Sequence, residues 1–101
     1  MNPAGAHDLT EIRAAIDALD GRIVELIGER QAWVERAGRL KRTQGEGAVR
    51  APGRVEAVIE RVRALAAPSG ASPEVVERTY RALIASFVEL ELDVHSREKG
   101  S

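Results

Sequence analysis

Residues 9–40 read LTEIRAAIDALDGRIVELIGERQAWVERAGRL, and this stretch decides the fold. Its apolar residues recur at alternating intervals of three and four, which places them along one face of an α-helix. A helix of this length is about 45–50 Å long, which exceeds the width of a domain of this size. We therefore expect its apolar face to pack against a second chain. That face, called here the apolar seam, consists of Leu9, Ile12, Ile16, Leu19, Ile23, Leu26, Arg30, Trp33, Ala37 and Leu40.

One position of the apolar seam is charged. Arg30 has only apolar residues one helical turn before and after it, and Lys41 lies eleven residues further on, at nearly the same angle around the helix. The positions three and four residues before Lys41 also carry no acid. Because burying an uncompensated charge is costly, these two cations predict that something anionic meets them.

Signals at both ends define this long helix. Asp8 followed by Glu11 fits a capping box that opens it, and the polar, glycine-containing run 43–47 ends it. Residues 1–7 include Asn, Pro and Gly and are expected to be disordered. The long helix is therefore expected to begin at about residue 9.

A shorter second helix follows Pro52 and Gly53, and the Pro-Ser-Gly run at 68–70 stops it. It is expected to have three to four turns, with one apolar face packed inward. That face contains Val55, Val58, Ile59, Val62 and Leu65.

A third helix opens with Ser72 as its N-cap and Pro73 at its first position, and it should fray after about His95. Its apolar face contains Val76, Tyr80, Leu83, Ile84, Phe87, Leu90 and Val94. No internal repeat and no strand pattern competes with this interpretation. The predicted fold class is all-α, with a long, a short and a medium helix in one domain over residues 8–97 and a disordered tail at 98–101.

The composition limits the function. The chain has 101 residues and no cysteine, so a disulfide framework and a thiolate site are excluded, and its two histidines do not make a convincing metal site. Its net charge of −1, from 15 basic and 16 acidic residues, argues against nucleic-acid binding. Neither a signal peptide nor an apolar run of about 18 residues is visible, so a cytoplasmic location is expected by default.

Two more arginines are candidate site residues. Arg13 has Asp17 at i+4 as a surface partner, and it lies about 25 Å along the helix and roughly 100° around it from Arg30. Within one chain, Arg13 and Arg30 therefore cannot share a small ligand, whereas across an antiparallel pair of long helices they can. Arg54 opens the second helix, where its forward neighbours Ala57 and Val58 offer no anion, and it is either a solvated arginine or part of an anion site.

Glu91 occupies a position where the third helix should be apolar, seven residues after Ile84. One interpretation is that it pairs with His95 at the helix end. The other is an inward carboxylic acid with a raised pKa, because burial disfavours the charged form. The sequence has no phosphate-binding glycine loop, nucleophile triad or metal spacing. Cations and one acid suit binding of a dianion, or catalysis by shape and electrostatics alone.

On these residues the chain resembles the all-helical class of chorismate mutases, which includes isochorismate pyruvate lyase. The strings that carry the resemblance are EIRAAIDALD at 11–20, GER at 28–30, GRLK at 38–41 and VRAPGRV at 49–55. Their order and spacing are more specific than any single string, and the resemblance covers roughly residues 9–97. It implies an intertwined homodimer in which the long helices cross and each active site receives one arginine from the partner.

The resemblance also implies the role of each residue. Arg30 and Arg13 of the partner subunit would hold the two substrate carboxylates, and Lys41 would contact a carboxylate and the ether oxygen of the breaking C–O bond. Glu91 stands where many relatives have glutamine, so it must be protonated to donate to that oxygen, and activity should fall as pH rises through its pKa. The implied catalytic residues are Lys41, Glu91 and Arg30, and the implied substrate-binding residues are Arg13, Arg30, Lys41, Arg54, Ala51, Val55 and Phe87.

The implied reaction is the concerted rearrangement of chorismate to prephenate, a step of the shikimate pathway to aromatic amino acids, without metal or cofactor. Ala51 and Val55 depart from the bacterial mutases, which usually carry Asp and Glu there, and the wording around Arg54 is closer to the lyase branch. The alternatives are therefore an isochorismate pyruvate lyase, which forms salicylate and pyruvate, and a 4-amino-4-deoxychorismate mutase. A non-enzymatic helical dimerisation module is a third. The sequence leaves open whether a partner enzyme activates the protein.

Overall fold

Three α-helices account for nearly all of the chain that the structure describes. The computed structural model describes residues 5, 8–41 and 52–100, with side chains described for 8–40 and 53–93. Helix α1 spans Leu9–Lys41, α2 spans Pro52–Ala66 with a 3₁₀ turn at Ala67–Ser69, and α3 spans Pro73–Gly100. No strand occurs in the described residues. The predicted all-α fold with a long, a short and a medium helix is confirmed.

The starts of α1 and α3 are capped as predicted. The Asp8 carboxylate accepts a hydrogen bond from the Glu11 N–H at 2.9 Å, and so satisfies one of the helix's orphan donors. Ser72 does the same for α3, where its hydroxyl accepts from the Val75 N–H at 3.3 Å. Pro73 is the first residue of α3, a position where its missing N–H costs nothing.

The end of α2 depends on one glycine. Gly70 has φ 79° and ψ 16°, the left-handed conformation that a side chain disfavours. Its N–H donates to the Ala67 carbonyl at 3.0 Å, and the next N–H, from Ala71, donates to the Ala66 carbonyl at 2.9 Å. These bonds satisfy carbonyls at the end of the helix, and α3 starts two residues later.

The C-terminal limit of α3 differs from the sequence prediction. The helix continues to Gly100, past His95, where fraying was expected. Residues 96–99 include Arg, Glu and Lys, which have high helix propensity, and no Gly or Pro interrupts α3 before Gly100. The domain limits at residues 8 and 97 stay predictions.

The core lies between α2 and α3. One residue of the predicted α2 face is misplaced, because Leu65 is 58% exposed and Ala66 is buried instead. At 100° per residue, Leu65 points about 75° away from the centre of the buried face, whereas Ala66 lies close to it. The buried apolar residues are Val58, Ile59, Val62, Ala66 and Phe87.

The chain divides into two compact units, Met1–Trp33 and Val34–Ser101. In the first unit, the six apolar seam residues from Leu9 to Leu26 are between 41% and 58% exposed, and Trp33 is 71% exposed. These seam residues are thus available to a second chain, and the packing of the seam against one stays a prediction. None of the described helices is long and apolar enough to cross a membrane.

Candidate active site

The predicted site residues are divided between the two units. Arg13 and Arg30 belong to the first unit, and the others belong to the second. Lys41 is the last residue of α1, and its side chain lies outside the described part of the chain, as does the whole of Ala51. The predicted site residues that belong to the second unit are Lys41, Ala51, Arg54, Val55, Phe87 and Glu91.

Arg13 and Arg30 lie on one uninterrupted helix. Arg13 is exposed, whereas Arg30 is half-buried and its Nη1 atom is shielded from solvent. Because α1 is continuous between them, 17 residues at 1.5 Å each separate the two by about 25 Å along the axis. Two guanidinium groups at that distance cannot hold the two carboxylates of one small molecule. One copy of this chain therefore cannot use both arginines in one site.

The second unit contains an open groove of about 280 Å³ between α2 and α3. Its apolar wall is formed by Val55 of α2 with Ile84, Ala85 and Val88 of α3, and its charged residues are Arg81 and Glu89. Val55 was predicted to contact substrate, whereas Ile84 was predicted only as part of an apolar helix face. The groove therefore gives one predicted site residue a concave, mostly apolar setting of the kind that ligands occupy.

Glu91 lies against the backbone of α1. A Cβ atom placed on Gly38 would be 3.5 Å from the Cγ and Cδ atoms of Glu91 and 3.7 Å from its Oε1 atom. Gly38 precedes Lys41 by three residues, and Glu91 follows Ile84 of the groove by two helical turns on the same side of α3. Glu91 is half-buried there. The structure therefore places Glu91 inward. Its raised pKa stays a prediction, and so does its pairing with His95, because the side chain of His95 lies outside the described residues.

Arg54 and Phe87 differ in exposure. Arg54 is an exposed residue in the first turn of α2. Phe87 is only 7% exposed and belongs to the core between α2 and α3. Its predicted contact with substrate stays a prediction, and its observed role is to fill that core.

A network of ion pairs between α2 and α3 was missed by the sequence analysis. Arg81 of α3 holds Glu56 of α2 with two parallel hydrogen bonds, Nη1 to Oε2 and Nη2 to Oε1, both 3.0 Å long. Its Nε atom donates to Glu77 at 2.8 Å, and the other oxygen of Glu77 accepts from Arg63 of α2 at 2.7 Å. The spacing of Glu77 and Arg81 at i+4 is visible in the sequence, but the pair across 25 residues is not.

The network changes the titration of its members. The hydrogen bond from Arg81 lowers the pKa of Glu56 below its ordinary value. The pKa of Glu77 is also lowered, chiefly by the hydrogen bond from Arg81; burial opposes this shift, and the hydrogen bond from Arg63 adds to it. The two carboxylates raise the pKa of Arg81. Both acids are therefore held in their charged form. In the described part of the chain, no cluster of three or more His, Cys, Asp or Glu could hold a metal ion.

Comparison with known proteins identifies the family of this chain. A family model described as chorismate mutase type II matches residues 12–92. The chain therefore belongs to the chorismate mutase type II family. An isochorismate pyruvate lyase from Pseudomonas aeruginosa is 29% identical to it over 99 residues, which is 98% of this chain and 96% of that protein. The family predicted from the sequence is confirmed, and every predicted site residue lies inside the matched segment.

Proposed function

We propose that the protein is a homodimeric enzyme that rearranges chorismate to prephenate. The observation that carries the proposal is the family match over residues 12–92, because that segment holds every residue to which the sequence gave a role in the site. The position of Glu91 supports it. A half-buried carboxyl next to Gly38, one helical turn before Lys41, brings an acid and a cation to the same end of α1.

Binding of the substrate is assigned to arginines. Arg30 holds one carboxylate and Arg13 of the partner subunit holds the other, since a single copy of α1 keeps these residues about 25 Å apart. A guanidinium pairs with a carboxylate through two parallel hydrogen bonds, which fixes orientation as well as position. Arg54, exposed in the first turn of α2, supports the anionic site.

Catalysis in this proposal needs no nucleophile. The ether C–O bond breaks while the new C–C bond forms, and negative charge grows on the ether oxygen in the transition state. Lys41 and protonated Glu91 donate to that oxygen and stabilise the charge more in the transition state than in the ground state. The site also holds the reacting ends of one molecule close together, which lowers the entropy cost of reaching the transition state.

The dimer is proposed from the exposure of the apolar seam. Six of its residues, from Leu9 to Leu26, are more than two-fifths exposed in the single chain. Full burial of an exposed Leu or Ile side chain contributes about 1.5–3 kcal/mol, so covering these half-exposed side chains contributes roughly half of that for each, and the sum over both copies favours pairing. The same pairing brings the second arginine to each site.

Isochorismate pyruvate lyase activity is the second candidate. A protein of that name is 29% identical over 98% of this chain. Val55 contributes an apolar wall to the groove at a position where the bacterial mutases usually carry Glu near the hydroxyl of the substrate. A different ring substituent would suit such a wall better. Both reactions proceed without a covalent intermediate, so one electrostatic site serves either of them.

Product analysis separates these candidates. The purified protein is incubated separately with chorismate, isochorismate and 4-amino-4-deoxychorismate, alongside Arg30→Ala and the matched control Arg22→Ala, which changes an exposed arginine of α1 outside the seam. Prephenate from chorismate, lost in Arg30→Ala and retained in Arg22→Ala, is the expected result. Salicylate and pyruvate as the faster products would favour the lyase. A folded protein that turns over none of the three would leave the dimerisation module, for which Arg30→Leu should be neutral or stabilising.

A further inference from the structure

A bidentate ion pair joins α2 to α3 at the groove. The fork of Arg81 engages both oxygens of Glu56, while its third nitrogen engages Glu77 on its own helix. Each of the three nitrogens of this guanidinium therefore donates a hydrogen bond to a carboxylate of the protein. Arg81 lines the groove, but its charge is already balanced there, and binding a substrate anion would require these bonds to break.

The partner of Arg81 is next to two predicted site residues. Glu56 directly follows Arg54 and Val55 in the first turn of α2. The first turn itself, before Glu56, has no acidic residue to favour the helix dipole. First turns fray readily because their N–H groups have no partner in the helix. The bidentate pair between Arg81 and Glu56 holds this end of α2 to α3 and therefore limits where Arg54 and Val55 can lie.

From this geometry we propose that Arg81 is a positioning residue for the active site. Through Glu56 it fixes the first turn of α2 against α3, so that Val55 forms the groove wall and Arg54 faces the anionic site. The proposal deepens the proposed function and rests on it for its effect on turnover. It assigns Arg81 no contact with substrate.

The structure offers a matched control at the other end of the same helix pair. Arg63 of α2 also crosses to α3, where it donates to Glu77 at 2.7 Å and lies 3.8 Å from Glu74. Its contacts hold the part of α2 near the turn, about two and a half helical turns from Arg54 along the chain. Side-chain exposure is similar, 39% for Arg63 and 43% for Arg81. Arg63→Lys and Arg81→Lys thus each replace an exposed or half-buried arginine that joins α2 to α3, one near each end of α2.

The test compares kcat, KM and the melting temperature of Arg81→Lys, Glu56→Gln and Arg63→Lys. Lysine keeps the charge but loses the planar fork, and Gln keeps the shape of Glu without its charge. We expect Arg81→Lys and Glu56→Gln each to raise KM about three- to tenfold, because small displacements of binding groups weaken a preorganised site. The double variant should be no worse than the poorer single variant, since both remove the same contact. Arg63→Lys should lower the melting temperature equally and leave KM unchanged.

Hydrogen exchange tests the positioning role of Arg81 without any measurement of turnover. The amides of residues 56–59 donate to the carbonyls of the first turn of α2, so their protection reports whether that turn is formed. Protection should fall in Arg81→Lys and stay at the wild-type level in Arg63→Lys, even in a protein that turns over no substrate. Equal KM changes in Arg63→Lys and Arg81→Lys would overturn the positioning role, as would unchanged protection of these amides in Arg81→Lys.

Discussion

Two parts of this molecule differ in how far they bury their own apolar residues. The pair α2–α3 buries its own core around Ile59 and Phe87 and ties its helices together with the Glu56–Arg81–Glu77–Arg63 network. Helix α1 up to Trp33 has an equally regular apolar pattern, but nearly every residue of that pattern is exposed. The difference shows that periodicity reports which face is meant to be buried, not whether the same chain buries it.

The largest effect is expected from a charged residue introduced into the apolar seam, which tests whether the seam is the dimer interface. Ile23→Lys would place two lysines per dimer in the interface, and lost burial plus an unpaired charge should weaken the dimer by about 5 kcal/mol or more. Val24→Lys is the matched control, because Val24 is 66% exposed but lies off the seam. Sedimentation should find monomers for Ile23→Lys and dimers for Val24→Lys. Dimers in both would mean that the seam is not the interface.

The one charged seam position should affect catalysis rather than assembly. Arg30→Ala is expected to lower kcat/KM by about 10²–10³, the typical effect of removing one preorganised donor to an anion. Arg22→Ala provides the control on the same helix. Steady-state kinetics and sedimentation on both variants test this, and loss of the dimer in Arg30→Ala would show a structural role instead.

The pH dependence of activity tests whether Glu91 acts in its protonated form. If the acid must donate a hydrogen bond to the ether oxygen, wild-type activity should fall about tenfold per pH unit above the pKa of Glu91. Glu91→Gln donates at every pH, so its pH–rate profile should be flat over the same range. A wild-type profile that stays level, or rises, would exclude Glu91 as the donor.

Gly38 offers a graded test of the space beside Glu91. Ala adds a methyl group in ordinary van der Waals contact with that side chain, and it should stabilise the helix by about 0.5–1 kcal/mol without loss of activity. Val adds two more carbons, which must displace the carboxyl, and activity should fall about tenfold. Equal activity of both variants would mean that the position of Glu91 is not critical.

The smallest expected effect is the response of the α2–α3 pair to acid. The pKa values of Glu56 and Glu77 are lowered by their arginine partners, so these groups stabilise the fold fully above their unfolded-state pKa, near 4.3. That contribution is lost as pH falls through the lower, folded-state values. Melting temperatures between pH 7 and pH 3 should therefore drop less steeply in Glu56→Gln than in the wild type. Parallel curves would contradict the role given to Glu56.

Local signals in the sequence were sufficient for the fold. The caps at Asp8 and Ser72 and the stop at Gly70 each depend on residues a few positions apart, and the structure has all three. Leu65 was misplaced because it lies at the border of the apolar face, where a rotation of one residue decides between burial and exposure. The extension of α3 past His95 was missed although residues 96–99 favour a helix and no Gly or Pro stops one before Gly100.

The site was predictable only where position on one helix is informative. The unusual placement of Arg30 and Glu91 among apolar neighbours identified them, and the distance between Arg13 and Arg30 followed from helix geometry. The contact of Gly38 with Glu91 and the pair between Glu56 and Arg81 were not predictable, since each joins residues of two helices whose packing must be known first.

Subunit mixing tests the central claim, that each active site combines Arg30 of one chain with Arg13 of the other, most directly. Arg13→Ala and Arg30→Ala, each nearly inactive, are unfolded together in equal amounts and refolded. Random pairing makes half of the dimers mixed, and each mixed dimer has one site with both arginines intact. The account therefore predicts recovery of about a quarter of the wild-type activity. If both arginines served the same chain's site, every site in the mixture would lack one of them, and no activity would return.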